Sequence, residues 1–531
     1  MLDKTSQFKE ALRLMEKTSE HVLVTGRAGT GKSTLLNHFR KHSKKNVVVL
    51  APTGVAAVNV EGQTIHSFFG FFPDITIAKA KKAKPRNKDL YKQIDTIVID
   101  EISMVRADLL DCIDVFLRKW GKVKGIAFGG VQMIFIGDLY QLPPVVSRGE
   151  SSAFSSAYES PYFFSSDVMN QRQQAMLTEP FSFSFIELEK VYRQKEDFFV
   201  DLLNAVRNNT ITDIMIDTLN QRAVPHAQPQ KKERYITLTT TNAMAEEENA
   251  VKLSTLSTPS MAFPARVNGD VQKEMYPADT TLEIKPDAQV MMLNNDSQGR
   301  WINGTIGKVL RILPAEEDEH AHVIVLLEDG EEVEVGPHQW DVFEFSYDTS
   351  ASSIVSETVG TFVQYPMRLA WAVTIHKAQG KTFDHVIVDM GRGAFATGQT
   401  YVALSRCTSF DGLILRRPIR ASDVRIDPHI VDFVTSCHYT KAEKEYSLED
   451  KVKVLEKAVE KKHRVRITYL QSSDEKSERI IIPELVGEME YQGETYIGVR
   501  AYCETSQMNR LFRVRNILAM DVVKGKKKHL L

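Results

Sequence analysis

Gly26-Arg27-Ala28-Gly29-Thr30-Gly31-Lys32-Ser33 is the stretch on which the reading of this chain turns. A β-branched run, His21–Thr25, precedes it, and a helix-period segment, Lys32–His42, follows it. In that strand–loop–helix context glycines let backbone N–H groups wrap phosphates, and the helix N-terminus adds a favourable dipole. Such a loop sends Lys32 to the β- and γ-phosphates and Ser33 to a magnesium ion, with Gly26, Ala28, Gly29, Thr30, Gly31 and Thr34 as the rest of the cradle. Further short apolar runs, Asn46–Leu50, Thr96–Asp100 and Gln132–Ile136, suit strands buried on both faces of a parallel sheet. Arg106–Lys119 reads as a helix between two of them. The class is α/β.

The run Thr96–Asp100 ends in a carboxylate pair, Asp100-Glu101. In isolation that is a solvated turn. About seventy residues downstream of a phosphate loop it reads as catalytic, with Asp100 on magnesium and Glu101 orienting and deprotonating the attacking water. Gly137-Asp138-Leu139-Tyr140-Gln141, after the next buried run, places Gln141 to sense the γ-phosphate and Asp138 to link it to the acidic pair.

The chain has 531 residues, which at roughly 150 per domain suggests three to four domains. Hydrophobic residues make up 43% and charged residues 26%, enough to fill several cores and to exclude chain-wide disorder. No apolar run approaches the ~18 residues of a membrane span, and the opening lacks a signal peptide's basic and apolar regions. Four cysteines, Cys112, Cys407, Cys437 and Cys503, lie far apart, against both a disulfide framework and a zinc site. The expected location is the cytoplasm, away from membranes. Net charge is −2, but residues 451–531 carry 17 basic against 11 acidic side chains. Local charge, not total charge, has to carry any nucleic-acid argument.

Beyond these motifs the chain resembles superfamily 1 helicases, and within superfamily 1B the petite-integration-frequency (PIF) family and its RecD-like relatives. The blocks that carry the resemblance cover most of residues 7–416 in the family's order. They are Ala51–Ala57 with Gln63–Phe68, Asp100–Met104, Leu109–Gly130 ending in Phe128-Gly129-Gly130, and Leu188–Gln194. Val290–Asp296 with Trp301–Gly307, Thr374–Gly380 and Tyr401–Arg406 complete the set. The resemblance implies two RecA-like lobes, parallel sheets with flanking helices, with ATP and Mg2+ between them. Lobe one, residues 1–180, would supply the phosphate loop, Asp100, Glu101 and Gln141. Lobe two, residues 181–307 and 366–436, would supply Arg193 and Arg406 to stabilise the transferring phosphoryl group. Gln7 would read adenine. Single-stranded DNA would cross Thr53, Gly54, His66, Ser67 and Phe68 on lobe one and Thr374, His376, Lys377 and Gln379 on lobe two. Residues 308–365 resemble the family's small inserted β-barrel, and 69–93, with Phe71-Phe72-Pro73 and a lysine run, occupy the place of its strand-separating wedge.

Residues 445–531 resemble a WYL domain, a mostly-β module, although the name-giving triplet is here Thr495-Tyr496-Ile497. Strand alternation puts Tyr496, Arg500 and Tyr502 on one face, and Arg513 and Arg515 on one face of a later strand; with Arg510 they form a candidate accessory nucleic-acid site. The expectation is an ATP-dependent, 5′-to-3′ DNA helicase acting on single-stranded, tailed or forked DNA, monomeric, in the field of DNA repair, recombination and telomere-type maintenance. G-quadruplexes and RNA–DNA hybrids are further candidate substrates. An ATPase that remodels nucleoprotein on single strands, and a WYL-centred ligand-binding regulator, are the rival readings.

Overall fold

The computed structural model describes residues 5–523 except 86, 148, 171–180, 195, 225–233, 270, 272, 274–275, 316–319, 349–352 and 492. The chain divides into two units, residues 1–207 with 211–425, and 208–210 with 426–531.

In the first unit, six parallel strands form one sheet in the order 63–64, 47–51, 96–99, 132–136, 21–26, 183–188. The strand His21–Gly26 therefore lies inside the sheet, and its C-terminal end carries the phosphate loop. Parallel strands need both faces covered, and here Val22, Val24, Val98, Ile134 and Ile136 pack against Leu35, Leu36 and Phe39 of the helix Lys32–His42. The loop is thus fixed at both ends by buried residues. Phe128-Gly129-Gly130 is a turn with left-handed φ values that packs on the end of the helix Ala107–Trp120, where Gly129 abuts the Leu117 carbonyl.

One boundary moves. The strand Phe183–Leu188, expected to open lobe two, pairs in parallel with His21–Gly26 and completes the first sheet. The expected boundary at 180 itself falls outside the described residues. Lobe two has a four-stranded parallel sheet in the order 372–374, 236–239, 386–389, 413–415. The antiparallel insertion is also wider than 308–365. A five-stranded sheet takes in Gln289–Met292 and Met367–Leu369, and smaller sheets begin at Met261–Pro264 and Arg266–Gly269. In the wedge segment Phe71 is buried against Phe69 and Phe116, while Phe72 is 75% exposed.

The second unit takes up the chain at Ile426, just before the helix Pro428–Glu445, so lobe two closes before the expected residue 436. Ser447 caps the helix Leu448–Glu460 by accepting a hydrogen bond from Asp450 N. A five-stranded antiparallel sheet follows, in the order 508–513, 494–503, 476–491, 464–470, 517–523. Val465, Ile467, Val499, Ala501 and Phe512 form its core with Leu455 and Ala458 of the helix.

His21 gives the first unit a pH dependence. Its Nδ1 accepts from Met133 N at 2.9 Å, and the ring stacks on Phe181 with centroids 4.5 Å apart. Burial lowers its pKa to about 4. The folded protein therefore refuses a proton that the unfolded chain takes up below about pH 6.5, so stability is lost as pH falls from about 6.5 toward 4. Replacing His21 with Asn, which can accept but does not titrate, should flatten this decline in denaturant midpoints measured between about pH 7 and about pH 5.

Candidate functional site

A cavity of about 520 Å³ opens at the C-terminal end of the first sheet. It is lined by Ala28–Thr34, Asp100, Glu101, Gln141 and Arg193 from one side and by Gly380, Thr382 and Arg406 from the other. Gly29 and Gly31 take φ of +78° and +90°, backbone states that favour glycine. Gly29 also has no room for a side chain, since a Cβ there would lie 2.5 Å from Arg193 Cβ. Lys32 Nζ donates to the Gly26 and Arg27 carbonyls at 2.6 and 2.9 Å, so it stands within its own loop. Burial lowers its pKa, opposed by Asp138, Glu101 and Asp100.

Burial raises both carboxyls of the acidic pair, and for Glu101 the neighbouring Asp100 adds to it. Glu101 adopts a left-handed φ of +51°, an uncommon state for a non-glycine residue. Gln379 Nε2 donates to Glu101 Oε2 and to Gln141 Oε1, each at 3.2 Å. Gln141 Nε2 in turn donates to Asp138 Oδ2 at 3.1 Å. Gln379, expected on the DNA path, thus points into the cavity side of the seam.

The two arginines hold their positions through neutral groups. Arg406, 1% exposed, donates to the carbonyls of Val402 and Lys381 and to Ser405 Oγ. Arg193 Nη1 donates to Ser405 O at 3.2 Å. Burial lowers both pKa values, and repulsion from Arg406 helps bring Arg193 to about 9. Among the described residues neither guanidinium has a carboxylate within ion-pair distance. Arg193 was expected from lobe two, but it follows the last strand of the first sheet and reaches across to lobe two. An anion with several oxygens fits between these cations and Lys32. For a metal, the donors at hand are the hydroxyl of Ser33 and the carboxylate of Asp100, both hard oxygens. No cluster of three metal-ligating side chains exists among the described residues.

Other expected residues lie elsewhere. Gln7 Nε2 donates to Glu189 Oε2 at 3.0 Å, and it is the adjacent Phe8 that lines the cavity. Tyr192 also lines it, its N–H donating to Gly29 O. Nothing in the composition around either residue distinguishes them in advance. Phe68 is buried, with its ring against Phe69 and Tyr91, so it is core and not a stacking surface. Thr53 caps the helix Gly54–Asn59, and Gly54 is buried beneath it. His66, Ser67 and His376 are half-buried, Lys377 is exposed, and Thr374 is buried with its hydroxyl accepting from Lys377 N.

In the second unit, Tyr496, Arg500 and Tyr502 share the outer face with Arg513, which pairs with Gly498 across the ladder. Arg513 lies over the Tyr496 ring at 4.6 Å and pairs with Glu494, while Arg500 pairs with Glu484. Arg510 is opposite the buried Ala501 and so faces the other way, and Arg515 leaves the strand to sit over Tyr439. Arg510 and Arg515 are therefore not part of one cluster with the tyrosines.

The family model described as PIF1-like helicase matches residues 3–215, and the WYL domain model matches residues 450–522. The chain is 30% identical over 428 residues to the ATP-dependent DNA helicase Pif1 of Bdellovibrio bacteriovorus, covering 78% of this chain and 88% of that protein. Its fold matches that of Bacteroides sp Pif1 in complex with ADP-AlF4, with a TM-score of 0.72, 32% identity, and coverage of 82% and 97%. The Bacteroides Pif1 structure bound to ssDNA matches with a TM-score of 0.58, 33% identity, and coverage of 85% and 98%.

The geometry separates binding from turnover. Lys32→Ala should abolish nucleotide hydrolysis through lost phosphate contact. Glu101→Gln should bind ATP with near-normal affinity yet lose hydrolysis by at least the ~10²-fold typical of a general base. Hydrolysis near the wild-type rate in Glu101→Gln would remove the base role.

Proposed function

The chain belongs to the PIF1-like helicase family, and on that footing we propose that it is an ATP-dependent DNA helicase that moves 5′ to 3′ on single-stranded DNA and separates duplexes. The observation that carries the reading is the cavity with Lys32, Asp100, Glu101 and Arg193 on the lobe-one wall and Arg406 on the other, neither arginine having a carboxylate partner among the described residues. ATP is the polyanion suited to it. Mg2+ bound through Ser33 and Asp100 would neutralise charge on the β- and γ-phosphates.

Glu101 would take a proton from the attacking water, its carboxylate aimed by Gln379. Arg193 and Arg406 would stabilise charge on the transferring phosphoryl group, so that binding draws the lobes together and product release lets them part. Alternate closing and opening would shift the grip on the strand between Thr53, His66 and Ser67 on lobe one and His376 and Lys377 on lobe two. The exposed Phe72 supports a duplex-splitting edge beyond them. Single-stranded, tailed and forked DNA are the substrates this mechanism serves. A duplex with a 5′ single-stranded tail should be unwound, and one with only a 3′ tail or blunt ends should not; a 3′ preference would overturn the direction while leaving the ATPase assignment.

For the C-terminal unit we propose accessory single-strand binding on the face carrying Tyr496, Arg500, Tyr502 and Arg513. Aromatic rings beside guanidiniums offer stacking worth ~1–3 kcal/mol per base. Both arginines already pair with glutamates, which limits their phosphate contribution. Tyr496→Ala with Tyr502→Ala should weaken single-strand affinity, and adding Arg500→Ala should reduce the salt slope of log affinity by ~0.7 per lost contact. Unchanged affinity and slope would make this face a structural or protein-docking surface.

A further inference from the structure

We propose that Tyr401 is a positioning residue for hydrolysis, its hydroxyl holding Arg406 in register with the phosphate loop. The inference rests on the transition-state role given to Arg406 above and names what sets that side chain's place.

All six residues of the helix Gln399–Leu404 in lobe two are buried. Its start is pressed onto lobe one. Gly398, at φ +70°, has the carbonyl oxygens of Tyr140 and Gln141 where a Cβ would go. One turn on, the Tyr401 hydroxyl accepts from Ala28 N in the phosphate loop at 3.1 Å and donates to Asp138 Oδ2 at 3.2 Å. A hydroxyl has one proton, so a fixed donor on one side and a carboxylate on the other leave it a single orientation. Asp138 is wholly buried and also receives Gln141 Nε2, with Arg207 Nε 3.7 Å from its other oxygen. The anchor point is therefore itself held.

From Tyr401 to Arg406 the chain is tied at each step. Ser405 N donates to Tyr401 O at 2.9 Å, and Arg406 Nε donates to Val402 O at 3.0 Å. Arg406 Nη2 donates to Ser405 Oγ at 3.0 Å, and Ser405 O receives both Arg193 Nη1 and Gln194 Nε2 at 3.2 Å. A shift of the helix against lobe one would thus move Arg406 relative to the loop that holds the phosphates. Misplacement by about 1 Å is enough to cost about 10²-fold in rate. A purely structural tyrosine, present only to satisfy the buried Ala28 N–H, predicts lost stability and weaker nucleotide binding instead.

The experiment uses the full chain, ATP hydrolysis with saturating single-stranded DNA, ADP affinity and the thermal midpoint. Tyr401→Phe keeps the ring and removes only the hydroxyl. Its kcat should fall roughly 10- to 100-fold with ADP affinity close to wild type. Gly398→Ala, which lifts the helix from lobe one by another route, should give the same split. In an Arg406→Ala background, Tyr401→Phe should cost nothing further, because its effect runs through the missing guanidinium. A normal kcat in Tyr401→Phe, a loss of ADP affinity as large as the loss of kcat, or losses that multiply in the double variant would each overturn the inference. A normal kcat in Arg406→Ala alone would instead remove the role of Arg406 itself, a failure that the single variants tell apart.

Discussion

Three cations share one buried cleft, and among the described residues none of them has a carboxylate within ion-pair distance. Lys32 is folded onto the carbonyls of its own loop, and Arg193 and Arg406 donate only to neutral oxygens. Burying charge without a counter-charge is costly, and in this cleft the cost appears as lowered pKa values on all three. The opposite penalty falls on Asp100 and Glu101, which burial holds toward the protonated side. Each set would be relieved by what the other lacks. A nucleotide's polyphosphate would supply the charge that the cations lack.

That imbalance would be useless if the walls could slide. They are joined instead by a line of directional bonds, from Glu101 through Gln379 and Gln141 to Asp138, and from Asp138 through Tyr401 to the phosphate loop. Apart from Tyr401, which stands in the buried helix Gln399–Leu404, every group in the line belongs to a loop or turn that leaves the end of a buried strand. The rigid sheets fix where those turns begin, and the hydrogen bonds fix where they end. Because Gln379 shares its amide between Glu101 and Gln141, a change at either carboxylate-side partner is felt on lobe two at once.

The parts that were legible in the sequence are those fixed by local pattern. The helix Lys32–His42 and four of the six strands of the first sheet, His21–Gly26, Val47–Ala51, Thr96–Ile99 and Gln132–Ile136, lie where the apolar runs put them, since runs of Val and Ile buried on both faces admit little else. The phosphate loop and the acidic pair needed only their position at strand ends. What the sequence could not convey is tertiary. Residues 183–188 were expected in lobe two, but which sheet accepts them depends on a free edge beside His21–Gly26. Gln379 sits in a block otherwise assigned to DNA, and only the fold of the turn after Thr374 sends its amide inward. Phe68 follows two polar residues at an apparent surface loop, yet the aromatic neighbours that bury it come from residues 69 and 91. The inserted sheets draw strands from both sides of the stretch 308–365, so no single compositional border could mark them.

The C-terminal unit shows the same limit in its sharpest form. Alternation along Thr495–Cys503 correctly sorts Val499, Ala501 and Cys503 inward and Arg500 and Tyr502 outward. The neighbouring strand breaks the count, because its ladder slips between Pro483 and Leu485, and the edge strand ends in a short turn that carries Arg515 away. Charge counted along the sequence is therefore a poor guide to charge on a face. Of the basic residues in this region, Arg500 and Arg513 remain beside the tyrosines, and each has a glutamate partner. Whatever binds that face meets aromatic and apolar surface first, with Leu485 and Leu511 flanking Arg500 across the ladder, and electrostatics only after those ion pairs give way.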